Sequence, residues 1–254
     1  MSRCCCCHAG QLPRWAAAEI LIVGDDFPPF CYTDKAMKID GLAYRALLMT
    51  FERAGEPYPM VRLMPWPRAH KLLQENPDAM TVAMTKTSER SDKFLWIGPY
   101  YQAPIYLYHL KSRAVQIDSE AQLKRYHYGV KRGGVDELFL RNAGVPDGQI
   151  DTVDEDIQNL RKLLLGRVDL VPFLPLEMSY YSHLVDLRSD EFAYAYSTGA
   201  GALHFAFNLN FSPERYLRLQ AAFESVRSTP EFQQLPTQTY PVSAAFMVEL
   251  GPPD

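Results

Sequence analysis

The chain has 254 residues, 47% hydrophobic and 22% charged, with a formal net charge of −4. That length holds one large domain or two lobes of about 100 residues, each with its own core. The acidic balance leaves no basic stripe to displace counterions, which argues against nucleic acid as a partner. No run of 18 apolar residues offers a membrane-spanning helix.

Residues 1–18 stand apart as a leader remnant or disordered N-terminus. Arg14 to Glu19 carries an Ala-x-Ala pattern of the kind that signal peptidases cut. Met1 to Pro13 lack the apolar core of about 7–15 residues that a working signal peptide needs. Cys4 to Cys7, followed by His8, have no second ligand pair at zinc-finger spacing, and adjacent cysteines cannot all turn onto one ion without strain. Neither a metal nor a cofactor is expected. Cys31 has no partner further on, so the chain is not a disulfide framework.

From Glu19 strands and helices alternate. Glu19 to Gly24 is an apolar run bounded by glycine, as for a buried parallel strand. It empties into the aromatic loop Asp25-Asp-Phe-Pro-Pro-Phe-Cys-Tyr32. Asp40-Gly41 opens an amphipathic helix with Ala43, Ala46, Leu47, Thr50, Phe51 and Ala54 on one stripe, stopped by Gly55. Val61 to Met64 is the second strand, and Pro65-Trp-Pro-Arg68 starts a helix ending near Asn76-Pro77. The strand Ala79 to Met84 completes a β-α-β-α-β order, which implies parallel strands with right-handed crossovers. After it come Thr85, Thr87 and Arg90, then an aromatic segment closed by Gly98-Pro99.

The pattern then repeats. Strands are expected at 103–110, 126–131, 150–153 and within Gly166 to Pro172, with helices at 119–124, 135–142 and 157–165. Strands at 192–196 and 201–208 follow. Ser212-Pro213, a cap and an N1 proline, starts a long helix to about Ser228. Residues after Pro236 are expected to form a loose tail.

Several stretches, in this order, resemble the bacterial extracellular solute-binding proteins of family 3, the amino-acid-type receptors of ABC importers. They are Asp26-Phe-Pro-Pro-Phe30 with Ile39-Asp-Gly41, Thr85-x-Thr-x-x-Arg90, Gly98-Pro-Tyr, Gly129-Val-x-x-Gly133, Leu165-Gly-Arg-Val-Asp169 and Gly199 to Ala206. The resemblance covers Glu19 to about Tyr240. It implies an α/β, type II periplasmic-binding-protein fold of two lobes, each a mostly parallel sheet flanked by helices, joined by two crossover strands. The lobes would be residues 19–108 plus 198–250, and 109–197.

The resemblance further implies a periplasmic, monomeric receptor, not an enzyme. It would close by a hinge on a small polar or anionic solute and present the closed form to a membrane permease. An orphan sensor and a cyclohexadienyl-dehydratase-like enzyme share the fold and stand as alternatives. In the family the arginine at position 90 grips the ligand's carboxylate; a rigid fork of donors suits that task, with Thr85 filling remaining lone pairs. The other reading of Arg90 is a loop arginine paired to Glu89 or Asp92. Phe27 matches the ligand-stacking aromatic. Strand ends in open α/β sheets face the ligand crevice, which also places Asp26 and Trp66 there, although Trp66 equally suits core packing. Arg68 is either a second positive group or a solvated side chain.

The second half departs from the family. Leu174 stands where an aspartate usually meets the ligand's amine. Glu177, three residues on, either substitutes for it or begins a solvated helix. Gly134-Val135 replaces the usual hydroxyl residue, leaving backbone amides at a helix start for an anion. No Ser/His/Asp or Cys/His set stands out, and the histidines lack metal spacing.

Overall fold

The structure, a computed structural model, describes residues 19–239 apart from 200. The expectations for the leader, the Cys4–Cys7 stretch and the tail beyond 239 lie outside the described residues, whereas residues 236–239 of the expected loose tail belong to a short helix. Strand β1 (Leu21–Gly24) runs into a tight aromatic loop and a two-residue hairpin, β2 (Tyr32–Thr33) with β3 (Ile39–Asp40). Gly41 follows at φ 123°, where a Cβ would stand 2.4 Å from the Phe30 carbonyl oxygen, so only glycine lets the loop fold back on itself.

Helix α1 (Leu42–Ala54) buries the expected stripe from Ala43 to Phe51 and stops at Gly55 in the left-handed conformation. Then come β4 (Val61–Leu63), α2 (Trp66–Glu75), β5 (Ala79–Thr85) and β6 (Phe94–Gln102). Strand β6 was hidden in the sequence by Gly98-Pro99. The strand accommodates that pair with an irregularity, its register against the last sheet strand shifting across it.

The chain crosses to a second sheet through β7 (Tyr106–Leu110) and a single 3₁₀ segment at Glu120–Arg125. There follow β8 (Tyr128–Lys131), α3 (Val135–Asn142), β9 (Ile150–Val153), α4 (Asp156–Leu164), β10 (Val171–Phe173), α5 (Pro175–Leu184) and β11 (Phe192–Ser197). It returns with β12 (Ala202–Asn208), α6 (Pro213–Arg227), α7 (Pro230–Gln233) and α8 (Leu235–Thr239). The Ser212 hydroxyl accepts the Arg215 amide, as its capping position predicts.

The first sheet has the order β4-β1-β5-β12-β6. The β-α-β-α-β half pairs in parallel through β4-β1-β5, and β12 enters antiparallel between β5 and β6. Strand β5, at the centre, is buried along its whole length. In the second sheet β8 and β9 are parallel, a lone parallel bridge from Tyr128 to Leu170 joins them to β10, and β10-β7-β11 is antiparallel. The crossover strands β7 and β11 are antiparallel neighbours, so the two connections run side by side. Separate cores sit under each sheet, one around Leu47, Phe205 and Phe223, others around Tyr108 and Tyr128.

Candidate functional site

Strand β1 stops at Gly24, and Asp25 turns inward at 7% exposure while Asp26 faces out. The Asp26 carboxylate accepts the Thr33 amide at 3.1 Å. Phe27 is half-buried and set by its loop, its amide bonding to the Cys31 carbonyl at 2.8 Å. Strand β5 ends in the buried Thr85, and the turn after it is tied by the Arg90 amide to the Thr87 carbonyl.

Arg90 reaches back over the start of α2. Its guanidinium lies 5.8 Å from the Trp66 ring centre and donates a long, 3.4 Å hydrogen bond to the Gly133 carbonyl. Among the described residues no carboxylate is within ion-pair distance of it, Glu89 and Asp92 included. Burial pulls its pKa below the usual range, and Asp136 and Glu89 offset that only in part. Trp66 packs with Val23, Leu73 and Phe94, as its core reading expects, and its indole N–H donates to the Gly133 carbonyl at 3.0 Å.

The second sheet supplies the facing wall. Strand β8 delivers Lys131, whose Nζ lies 2.6 Å from Asp25 Oδ2 and 2.5 Å from Asp156 Oδ2, and 4.8 Å from the Phe27 ring centre. Burial disfavours the ammonium, but Asp156 and Asp25 overcome it and hold the lysine pKa above its ordinary value. Gly134 caps α3, and its amide is engaged by the Lys131 carbonyl at 3.0 Å, which removes it as an anion donor. Glu177 is not solvated. It is 5% exposed, three residues into α5, and accepts the Leu174 amide at 3.2 Å, closing the start of its own helix.

Burial, reinforced by Asp156, pushes the Glu177 carboxyl well above the usual carboxylate range. The same two causes push Asp136 up to about 7, and its Oδ1 is buried without a hydrogen-bond partner. Both carboxyls are therefore shifted toward the protonated form.

These groups enclose one cavity between the strand ends of the two sheets, with about 660 Å³ of empty space including its mouth. Phe27, Trp66, Thr85, Arg90, Gly134 and Glu177 line it. Asp26 and Arg68 do not. Asp26 is exposed, its carboxylate bonded to the Thr33 amide. Arg68 is exposed because two residues along a helix is roughly 200° around it. Four polar lining residues escaped the sequence reading: Asp25, Lys131, Asp136 and Asp156. Asp136 and Asp156 begin helices, where acidic residues ordinarily answer the helix dipole. Lys131 ends a strand on the crevice side, and that position was the one signal available for it.

The family model of the bacterial extracellular solute-binding proteins, family 3, matches residues 20–238. No curated protein sequence matches this chain significantly. Among solved structures, a histidine kinase sensor domain with similarity to periplasmic binding proteins superposes with a TM-score of 0.77, at 15% identity over 87% of this chain and 95% of that one. The arginine-, lysine-, histidine-binding protein ArtJ from Geobacillus stearothermophilus gives 0.73, at 19% identity over 87% and 94%. An ancestral amino-acid-binding protein, a precursor of cyclohexadienyl dehydratase, gives 0.72, at 21% identity over 87% and 95%.

Proposed function

The chain belongs to the bacterial extracellular solute-binding proteins, family 3, with their two-lobed type II periplasmic-binding fold, and on that premise we propose that it captures a small polar or anionic solute of amino-acid size in the cavity between its lobes. The observation that carries this reading is Arg90: a partly buried guanidinium at the cavity wall with a neutral carbonyl, and no carboxylate, as its hydrogen-bond partner. Removing a charge from water is costly unless a counter-charge replaces the solvent. A solute carboxylate held in the guanidinium fork supplies it, with the Thr85 hydroxyl beside it and the unpartnered Oδ1 of Asp136 offering a further polar contact. Phe27 and Trp66 flank the solute body.

On this reading the lobes are residues 19–108 plus 198–250 and residues 109–197. They rock about β7 and β11, and closure makes the Trp66–Gly133 and Lys131–Asp25 contacts. A monomer in the periplasm then presents the closed form to the permease of an ABC importer.

A thermal-shift screen of the full chain tests this against carboxylates, amino acids and polyamines, because a ligand of the folded state alone raises the melting temperature. Carboxylates should raise it, and Arg90→Ala should abolish the rise. Stabilisation by polyamines alone, unchanged in Arg90→Ala, would sink the anion site. A second reading, a lyase of the dehydratase type, is favoured by two buried carboxyls, Asp136 and Glu177, that line one cavity and are both shifted toward the protonated form. Turnover of prephenate or arogenate, lost in Glu177→Gln, would establish it instead.

A further inference from the structure

We infer that Lys131 is a built-in substitute for a ligand amine, so that the solute is a carboxylate without an amino group. This rests on the anion site at Arg90 proposed above. The cavity has two demands for charge. One, at Arg90, is for an anion, and the chain leaves it unmet. The other, between Asp25 and Asp156, is for a cation, and the chain meets it itself.

Lys131 Nζ stands within 2.6 Å of a carboxylate from each lobe, on the face of the same Phe27 ring that would stack on a solute. All three side chains are nearly dry, at 13%, 9% and 7% exposure. An ammonium in contact with carboxylates and an aromatic face is the recognition chemistry a solute amine would use. Here it is already occupied.

The rest of the wall offers an amine little. Leu174 is apolar and 2% exposed, and Glu177 has an oxygen engaged by the Leu174 amide. Burial shifts Glu177 and Asp136 toward the protonated form and weakens both as counter-anions, while Lys131 stands among the same carboxyls. A solute ammonium would have to displace Lys131 or sit against its like charge. A hydroxyl, keto or plain hydrocarbon group in the same place meets no such penalty. The lysine is thus a specificity-determining residue: it keeps a carboxylate-binding cavity from taking amino acids.

Matched probes test this by calorimetry on the full chain: lactate against alanine, glutarate against glutamate, and 3-phenylpropionate against phenylalanine. The amine-free member of a bound pair should bind at least about ten-fold tighter in the wild type. Lys131→Ala, or Lys131→Met if the smaller side chain fails to fold, should remove or reverse that preference. n-Propylammonium chloride should raise the melting temperature of Lys131→Ala, while sodium chloride at equal ionic strength does not and the wild type is unmoved.

Equal affinity for both members of each pair, or an unchanged preference in the Lys131 variants, overturns the inference while leaving the Arg90 site standing. A propylammonium effect equal in wild type and Lys131→Ala overturns it as well. Binding of none of the six probes, to wild type or variants, overturns the Arg90 site and this inference together.

Discussion

Arg90 and Lys131 face the same cavity from opposite lobes and differ in what holds them. Lys131 is drier, yet two carboxylates surround its ammonium and its charge is stabilised. Arg90 is more open, yet it has a carbonyl at 3.4 Å and an indole face, and its charged form is disfavoured. The difference teaches that burial alone does not single out a candidate ligand contact; the absence of a counter-charge is what separates Arg90 from Lys131. On the proposed reading, one cation belongs to the architecture of the closed cleft and the other to the solute that enters it.

The sharpest way to break the comparison is to remove each cation and follow stability. Lys131→Ala strands Asp25 and Asp156 in a dry site and should cost about 3–5 kcal/mol in denaturant unfolding. Arg90→Ala removes an unpaired charge and should leave the ligand-free protein as stable as before, or slightly more so. Equal destabilisation by both would erase the distinction. For binding the order reverses. Arg90→Ala should weaken a carboxylate solute by roughly 2–5 kcal/mol in calorimetry, and a loss of a few tenths would mean that Arg90 is not the anchor.

Trp66→Phe keeps the ring but removes the hydrogen bond to the Gly133 carbonyl, the neutral tie between the lobes. It should weaken solute binding by about 1 kcal/mol through a less favoured closed form, read as a faster off-rate. An unchanged off-rate would mean that this tie does not hold the cleft shut.

The smallest expected effect concerns pH. Burial, with Asp156, lifts Asp136 to about 7, so the folded protein keeps a proton that the unfolded chain loses near pH 4. The native state binds more protons between these values, so stability falls as pH rises through that window and levels off above it. Asp136→Asn should flatten this slope by on the order of 1 kcal/mol, seen as melting temperature against pH. A slope that persists in the variant would assign it to other groups.

Much of the frame was legible because it obeys local rules. The all-buried β5, the stripe and glycine stop of α1, and the Ser212-Pro213 start of α6 each state their structure in consecutive residues. Strand β6 was not legible, because Gly98-Pro99 is a breaker pair unless a partner strand absorbs it. Helix α5 was obscured by Pro172 and Pro175, although a proline at the first turn favours a helix start. In the site, Phe27 and Arg90 were recognisable from motifs. The choice between Asp25 and Asp26 was not, since a loop has no fixed period to say which side faces in. Lys131 was hidden for a different reason: its partner Asp25 is 106 positions away, and an isolated lysine in a sequence looks solvated.

The late insertion of β12 between β5 and β6 also governs how the molecule can be assembled. As the chain emerges, the first lobe's apolar central strand has an unpaired edge while the entire second lobe is made. Until residues 202–208 arrive, β5 and β6 are both open to pairing with another chain, which is the geometry of intermolecular sheet growth. Fragments ending before β12 should therefore self-associate, and β7 carries the same exposure over a shorter span, its partners β10 and β11 arriving at residues 171–173 and 192–197.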